Sequence, residues 1–165
     1  MNTSATGGHQ PIHTPDPLRI KEDSTDPNEP STRVALAYSA QTGAYEAYDV
    51  HLDGPYAHIK GRTLRGTPLR QIVREKLPEA LLEHNAHLAT VPAVKTFFLG
   101  TTGRAVSKKS QRQPSTEQLQ NAATIFTLAR LTQNFPVRAV QRCFALDYRD
   151  AQRWVRIARK KGFLS

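Results

Sequence analysis

Tyr148 to Lys161 constrain the chain more than any other stretch. Laid out as a helix at about 100° per residue, the segment puts Ala151, Trp154, Val155 and Ala158 on one side. Arg149, Gln152, Arg153, Arg156 and Lys160 fall on the other. One side needs a core to cover it. The opposite side offers four cations and an amide to whatever lies outside.

The flanking residues supply that core. Ser115 with Gln118 three residues on is a capping-box pattern, and it predicts a helix from about Thr116 to Thr132 with Leu119, Ala122, Phe126 and Ala129 on one stripe. Asn134 and Pro136 restart the chain into a short helix that turns Val137, Val140 and Phe144 inward. Leu146 fills the following turn, and Asp147 caps the third helix with Asp150 at its third position. Gly162 ends that helix, and Phe163 and Leu164 fold back on the core. Trp154 reads as core, because it shares a side with Ala151 and Ala158. Cys143, the single cysteine, excludes an internal disulfide and reads as a small inert hydrophobe.

Charge follows the same division. Residues 1–33 hold 3 Lys/Arg against 5 Asp/Glu, 34–99 hold 7 against 6, and 100–165 hold 13 against 3, so the formal excess of +9 sits in the last 66 residues. A block this concentrated suits a polyanion, whose condensed counterions are released on binding; a solvated basic face is the plain alternative. Gly100 to Pro114, with Gly103, Arg104, Lys108, Lys109 and Arg112, is expected to be a flexible basic linker.

The N-terminal half is expected to be different in kind. Residues 1–32 are rich in Thr, Ser, Pro, Asp and Gly and predict a disordered tail, with Leu18 and Ile20 making at most a small contact. Val34–Tyr38 and Tyr45–Leu52 read as a hairpin through Gln41-Thr42-Gly43, with Tyr48, Val50 and Leu52 inward and Tyr56–Arg62 as a third strand. Thr67 and Pro68 open a helix lined by Leu69, Ile72, Val73 and Leu77, which Pro78 kinks or ends. Val94–Leu99 reads as a further strand. The expected class is α+β: an antiparallel sheet with a helix in a 33–99 module, the 100–114 linker, and a three-helix domain at 115–165.

The run from Val140 through Phe144, Ala145, Leu146 and Asp147 to Ala151, Gln152, Arg153, Trp154 and Val155 resembles the helix-turn-helix of bacterial and phage DNA-binding proteins. It is closest to short C-terminal versions in actinobacterial proteins, which end in a tail like Ala158-Arg159-Lys160-Lys161-Gly162-Phe163-Leu164. Gln141 stands where the family has a small residue. Ala145 replaces the turn glycine, which a right-handed backbone accommodates. The resemblance implies a third helix in the major groove, with Arg149, Gln152 and Arg153 at base edges. It places Arg138, Arg142, Tyr148, Arg156, Arg159, Lys160 and Lys161 at phosphates, joined by Lys108 and Lys109 of the linker. With three residues after Gly162, no β-hairpin wing is expected. Specific binding is then expected to need a homodimer through 33–99, where Lys60, Arg62, Arg65, Arg70 and Arg74 also cluster.

Other chemistry is thin. His84 and His87, or His51 and His58, supply too few ligands for zinc, so no metal or cofactor is expected. There is no P-loop, dinucleotide fingerprint or nucleophile elbow, and no enzyme is expected. With no apolar run near the ~20 residues that span a bilayer, the expectation is a cytoplasmic, nucleoid-associated protein. Three readings follow: a transcriptional regulator or repressor of chromosomal, phage or plasmid origin; a DNA-binding accessory protein in replication, partition or excision, with a protein partner on 33–99; and a small enzyme tethered to DNA.

Overall fold

The computed structural model describes residues 12–23, 31–53, 69–107 and 111–164. Among the described residues the elements are α+β, with one three-stranded antiparallel sheet and the five α-helices given below. The described residues of 14–90 and 129–134 form one compact unit, and those of 12–13, 91–128 and 135–164 form another.

In the first unit, β1 (Leu18–Glu22), β2 (Ser31–Ser39) and β3 (Ala44–Asp53) lie in that order across the sheet. β1 falls within the stretch expected to be disordered, and β2 begins there; 1–11 and 24–30 lie outside the described residues. Two apolar residues suffice for β1. Leu18 pairs opposite Leu36 and Ile20 opposite Val34, and all four side chains are buried. The intervening Arg19 and Lys21 face outward, as period-2 alternation requires.

The expected alternation in β3 breaks at one place. Asp49 pairs with Ala35 and Ala47 with Leu36, so Tyr48 is the extra residue of a β-bulge and is 60% exposed. Val50 and Leu52 keep the inward register.

Helix α1 (Leu69–His84) buries Ile72, Leu77, Ala80 and Leu81, and packs on β1. Pro78 does not end it: the helix continues for six residues past the proline. Burial of Ala80 and Leu81 offsets the backbone hydrogen bond that proline cannot donate. Thr67, Pro68 and the strand expected at Tyr56–Arg62 lie outside the described residues. A 3-10 turn, Ala86–Thr90, follows and buries Leu88.

The second unit opens with α2 (Pro92–Phe98), where a strand was expected. Pro92 presets the first helical φ and holds Val91 extended, and Val94 and Phe97, three apart, are buried. Contacts place α2 against α4, so it belongs with the C-terminal elements. Helices α3 (Thr116–Leu131), α4 (Pro136–Cys143) and α5 (Tyr148–Lys160) complete the set. The capping box at α3 forms as read: Gln118 N–H donates to Ser115 Oγ at 3.1 Å, and Ser115 N–H to Gln118 Oε1 at 2.9 Å. The single stripe on α3 was too narrow. Ala123, Thr124, Ile125, Leu128 and Leu131 are buried as well, so this helix is covered nearly all round. Among the described residues no helix is long and apolar enough to cross a membrane.

Tyr45 ties the N-terminal stretch to the sheet unit. Its side chain is fully buried, its hydroxyl donates to Pro15 O at 2.7 Å, and its carbonyl accepts from Gln133 Nε2 at 2.8 Å. Burial pushes the phenol up to about 12, with the Asp16 carboxylate and Tyr38 adding to the shift. A raised acid pKa means that the folded state holds its proton longer than the unfolded chain. The associated stability is therefore whole below the ordinary tyrosine value of about 10 and is lost as pH rises towards about 12. Urea midpoints measured across that interval should fall for the wild type and fall less for Tyr45→Phe. At neutral pH the variant should be about 1 kcal/mol less stable, for the lost hydrogen bond. Parallel declines would remove Tyr45 as the titrating group.

Candidate nucleic-acid interface

The site is built on α4 and α5 and on the four residues between them. Phe144 N–H donates to Val140 O at 3.1 Å, and Leu146 N–H reaches back to Gln141 O at 3.0 Å. This six-to-one closure needs a left-handed residue, and Ala145 provides it at φ 47°. The sequence reading accommodated alanine here on condition of a right-handed backbone; the structure does not meet that condition. The same closure ends α5, where Phe163 N–H donates to Ala158 O at 2.9 Å and Gly162 has φ 75°.

Asp147 then caps α5, its carboxylate accepting from Asp150 N–H at 2.7 Å. Ala151, Trp154, Val155 and Ala158 are buried, with Trp154 wholly enclosed and its ring 5.2 Å from that of Phe144. Small residues at 151 and 158 let neighbouring elements approach the indole. On α4, Ala139, Val140 and Cys143 are buried, and burial pushes the Cys143 thiol up to about 11, which keeps it protonated at neutral pH.

The opposite side of α5 is open. Arg149, Gln152, Arg156, Arg159, Lys160 and Lys161 are exposed, and Tyr148 at its start is 47% exposed. Arg159 lies over the Phe126 ring at 5.3 Å, so its stem is held while its charge stays at the surface. On α4, Arg138 and Arg142 are exposed, and Arg138 lies 5.5 Å over the exposed Phe135 ring. Lys108 and Lys109 lie outside the described residues, as do Lys60, Arg62 and Arg65.

Arg153 differs from the others. Its guanidinium donates through Nη2 to Gln111 O and pairs with Asp150 Oδ1 at 3.0 Å, and its side chain is only 35% exposed. Nε is buried and finds no acceptor among the described residues. The geometry gives this arginine an intramolecular role rather than the free reach assigned to it from sequence. Trp154 Nε1 donates to the same Gln111 carbonyl at 3.0 Å.

The segment read as a linker is thus fastened at two points. Gly103 N–H donates to Arg142 O at 2.9 Å, so close that a Cβ there would lie 1.7 Å from Cys143 O. Gln111 O holds the second point. Sequence could not reveal this, because a backbone carbonyl acceptor leaves no mark in residue type; the lone clue was Gly103.

Elsewhere, Asp53 accepts from Arg33 and lies 3.0 Å from His51 Nε2, and the guanidinium holds the carboxyl below its usual range. His84 and His87 are exposed. Among the described residues no group of three or more His, Cys, Asp or Glu could hold a metal ion.

Two substitutions test the backbone of the site. Ala145→Gly should raise stability by about 0.5–1 kcal/mol, the left-handed penalty of alanine less the added freedom of the unfolded chain. Gly103→Ala should lower it by more than about 1 kcal/mol, since the Cys143 carbonyl must move. Urea denaturation reads both; equal stability of all three proteins would refute the assigned turn and close approach.

No protein-family model, no curated protein and no solved structure matches this chain.

Proposed function

We propose that this protein binds double-stranded DNA sequence-specifically, with α4 and α5 used as a helix-turn-helix, and acts as a transcriptional regulator. The observation that carries the reading is the sidedness of α5: Ala151, Trp154, Val155 and Ala158 are buried while Arg149, Gln152, Arg156 and Lys160 are exposed on the other flank. A helix of about 12 Å diameter fits a major groove, and an exposed row of Arg and Gln near its N-terminus has the donors to read guanine and adenine edges.

Roles divide along the helix. Arg149 and Gln152 lie in the first half and are assigned to base edges. Arg156, Lys160 and Lys161, with Arg138 and Arg142 on α4, are assigned to phosphates. Left-handed Ala145 supports the turn that such a pair of helices needs. One three-helix element covers a single half-site, so the working form is a homodimer, with the sheet β1–β3 and α1 as the joining surface.

Fluorescence titration of labelled duplexes, after selection from a random-sequence pool, tests this. Arg149→Ala and Gln152→Ala should each lower preference for the selected site by about 1–3 kcal/mol and weaken random duplex little. Lys160→Ala and Lys161→Ala should weaken every duplex alike, each reducing the salt slope by about 0.9. Failure of selection to enrich any sequence would end the sequence-specific reading.

A further inference from the structure

We infer that the described residues 103–107 and 111–112 form a strap that enlarges the polyanion-binding surface, and that Arg153 is a positioning residue that latches it at Gln111 rather than a reader of bases. The inference rests on the DNA reading above and names which further groups meet the duplex.

Two fixed points define the strap. The hydrogen bond from Gly103 to Arg142 O sets Arg104, one residue on, beside the exposed cation Arg142 at the end of α4. The Gln111 carbonyl, held by both Trp154 Nε1 and Arg153, anchors the chain at the middle of α5, one residue before Arg112. Gln111 is itself locked from behind: its N–H donates to Ser107 O at 2.9 Å and its Nε2 to Val106 O at 3.3 Å. Arg104 and Arg112 are exposed, and neither forms an ion pair among the described residues.

Backbone anchoring thus fixes the main chain next to two exposed arginines close to α4 and α5, where a phosphate backbone would find further cations. Arg153 fits the latch better than the groove. Its Nη2 is shared between Asp150 and Gln111, its Nε is buried, and moving the guanidinium outward would strip the Gln111 carbonyl of one of its two donors.

The test uses the full chain and a fluorescein-labelled duplex of mixed sequence, titrated by anisotropy from about 50 to about 200 mM salt. Arg104→Ala/Arg112→Ala, two exposed sites, should keep the wild-type melting curve and flatten the slope of log K against log[salt] by about 1.8, two phosphate contacts at about 0.9 each. Preference between selected and random duplex should stay within twofold. Arg153→Met should flatten the slope in the same direction, again with preference kept. An unchanged slope in the double variant, with wild-type binding intact, overturns the strap and leaves the DNA reading standing. Loss of preference in Arg153→Met without a change of slope restores it as a base reader and overturns the latch. No wild-type binding to any duplex at the lowest salt, or tighter binding to single-stranded RNA of the same sequence, overturns the DNA reading and the strap with it.

Discussion

Complete burial of the Trp154 indole carries a polar group into the interior, and the C-terminal unit is arranged around that fact. A tryptophan of this kind removes some 150–250 Å² from water, of order 4–6 kcal/mol of transfer free energy. Its N–H must then be met, since an unsatisfied buried donor costs about 1–3 kcal/mol. The acceptor comes from 43 residues earlier in the chain, at Gln111. Core packing and the course of the 100–114 segment are for this reason one problem, and the same carbonyl draws in Arg153. Hydrophobic burial on one side of α5 thereby decides which cations on the other side remain free.

Helix ends form the second constraint. Among the described residues four helices are followed by a left-handed residue: Gly100 after α2, Gln133 after α3, Ala145 after α4 and Gly162 after α5. Two of these are glycine. The other two accept the strain of a side chain at positive φ because their neighbours are fixed. Gln133 is held through its side chain to the Tyr45 carbonyl, and Ala145 is flanked by buried Phe144 and Leu146. Backbone geometry here follows from packing, and local propensity yields to it.

Much of the C-terminal unit was legible because its signals are local. The capping box at Ser115, the Asp147 cap with Asp150, Pro136 at the start of α4 and the Gly162 stop each involve residues within one turn. Less of the N-terminal half was legible. β1 has two inward residues, too few to stand out from a polar stretch, and it exists as a strand because β2 offers Leu36 and Val34 as partners. Val94 to Leu99 looked like a strand by hydrophobicity alone; Pro92 and the three-residue spacing of Val94 and Phe97 were the overlooked helical signs. Of the two outcomes expected at Pro78, a kink or an end, the end does not occur, and Ala80 and Leu81 are buried beyond it.

The amino-acid order alone determined where charge accumulates, that α5 carries a buried and a polar side, and where α3, α4 and α5 start and stop, because each depends on neighbours a few residues apart. The tertiary structure alone decided that Arg153 turns inward, that Ala145 adopts a left-handed backbone, that Tyr48 bulges from its strand, and that the supposed linker is tied down at Gly103 and Gln111. Those outcomes hang on contacts between distant residues, several through main-chain atoms that every residue type possesses.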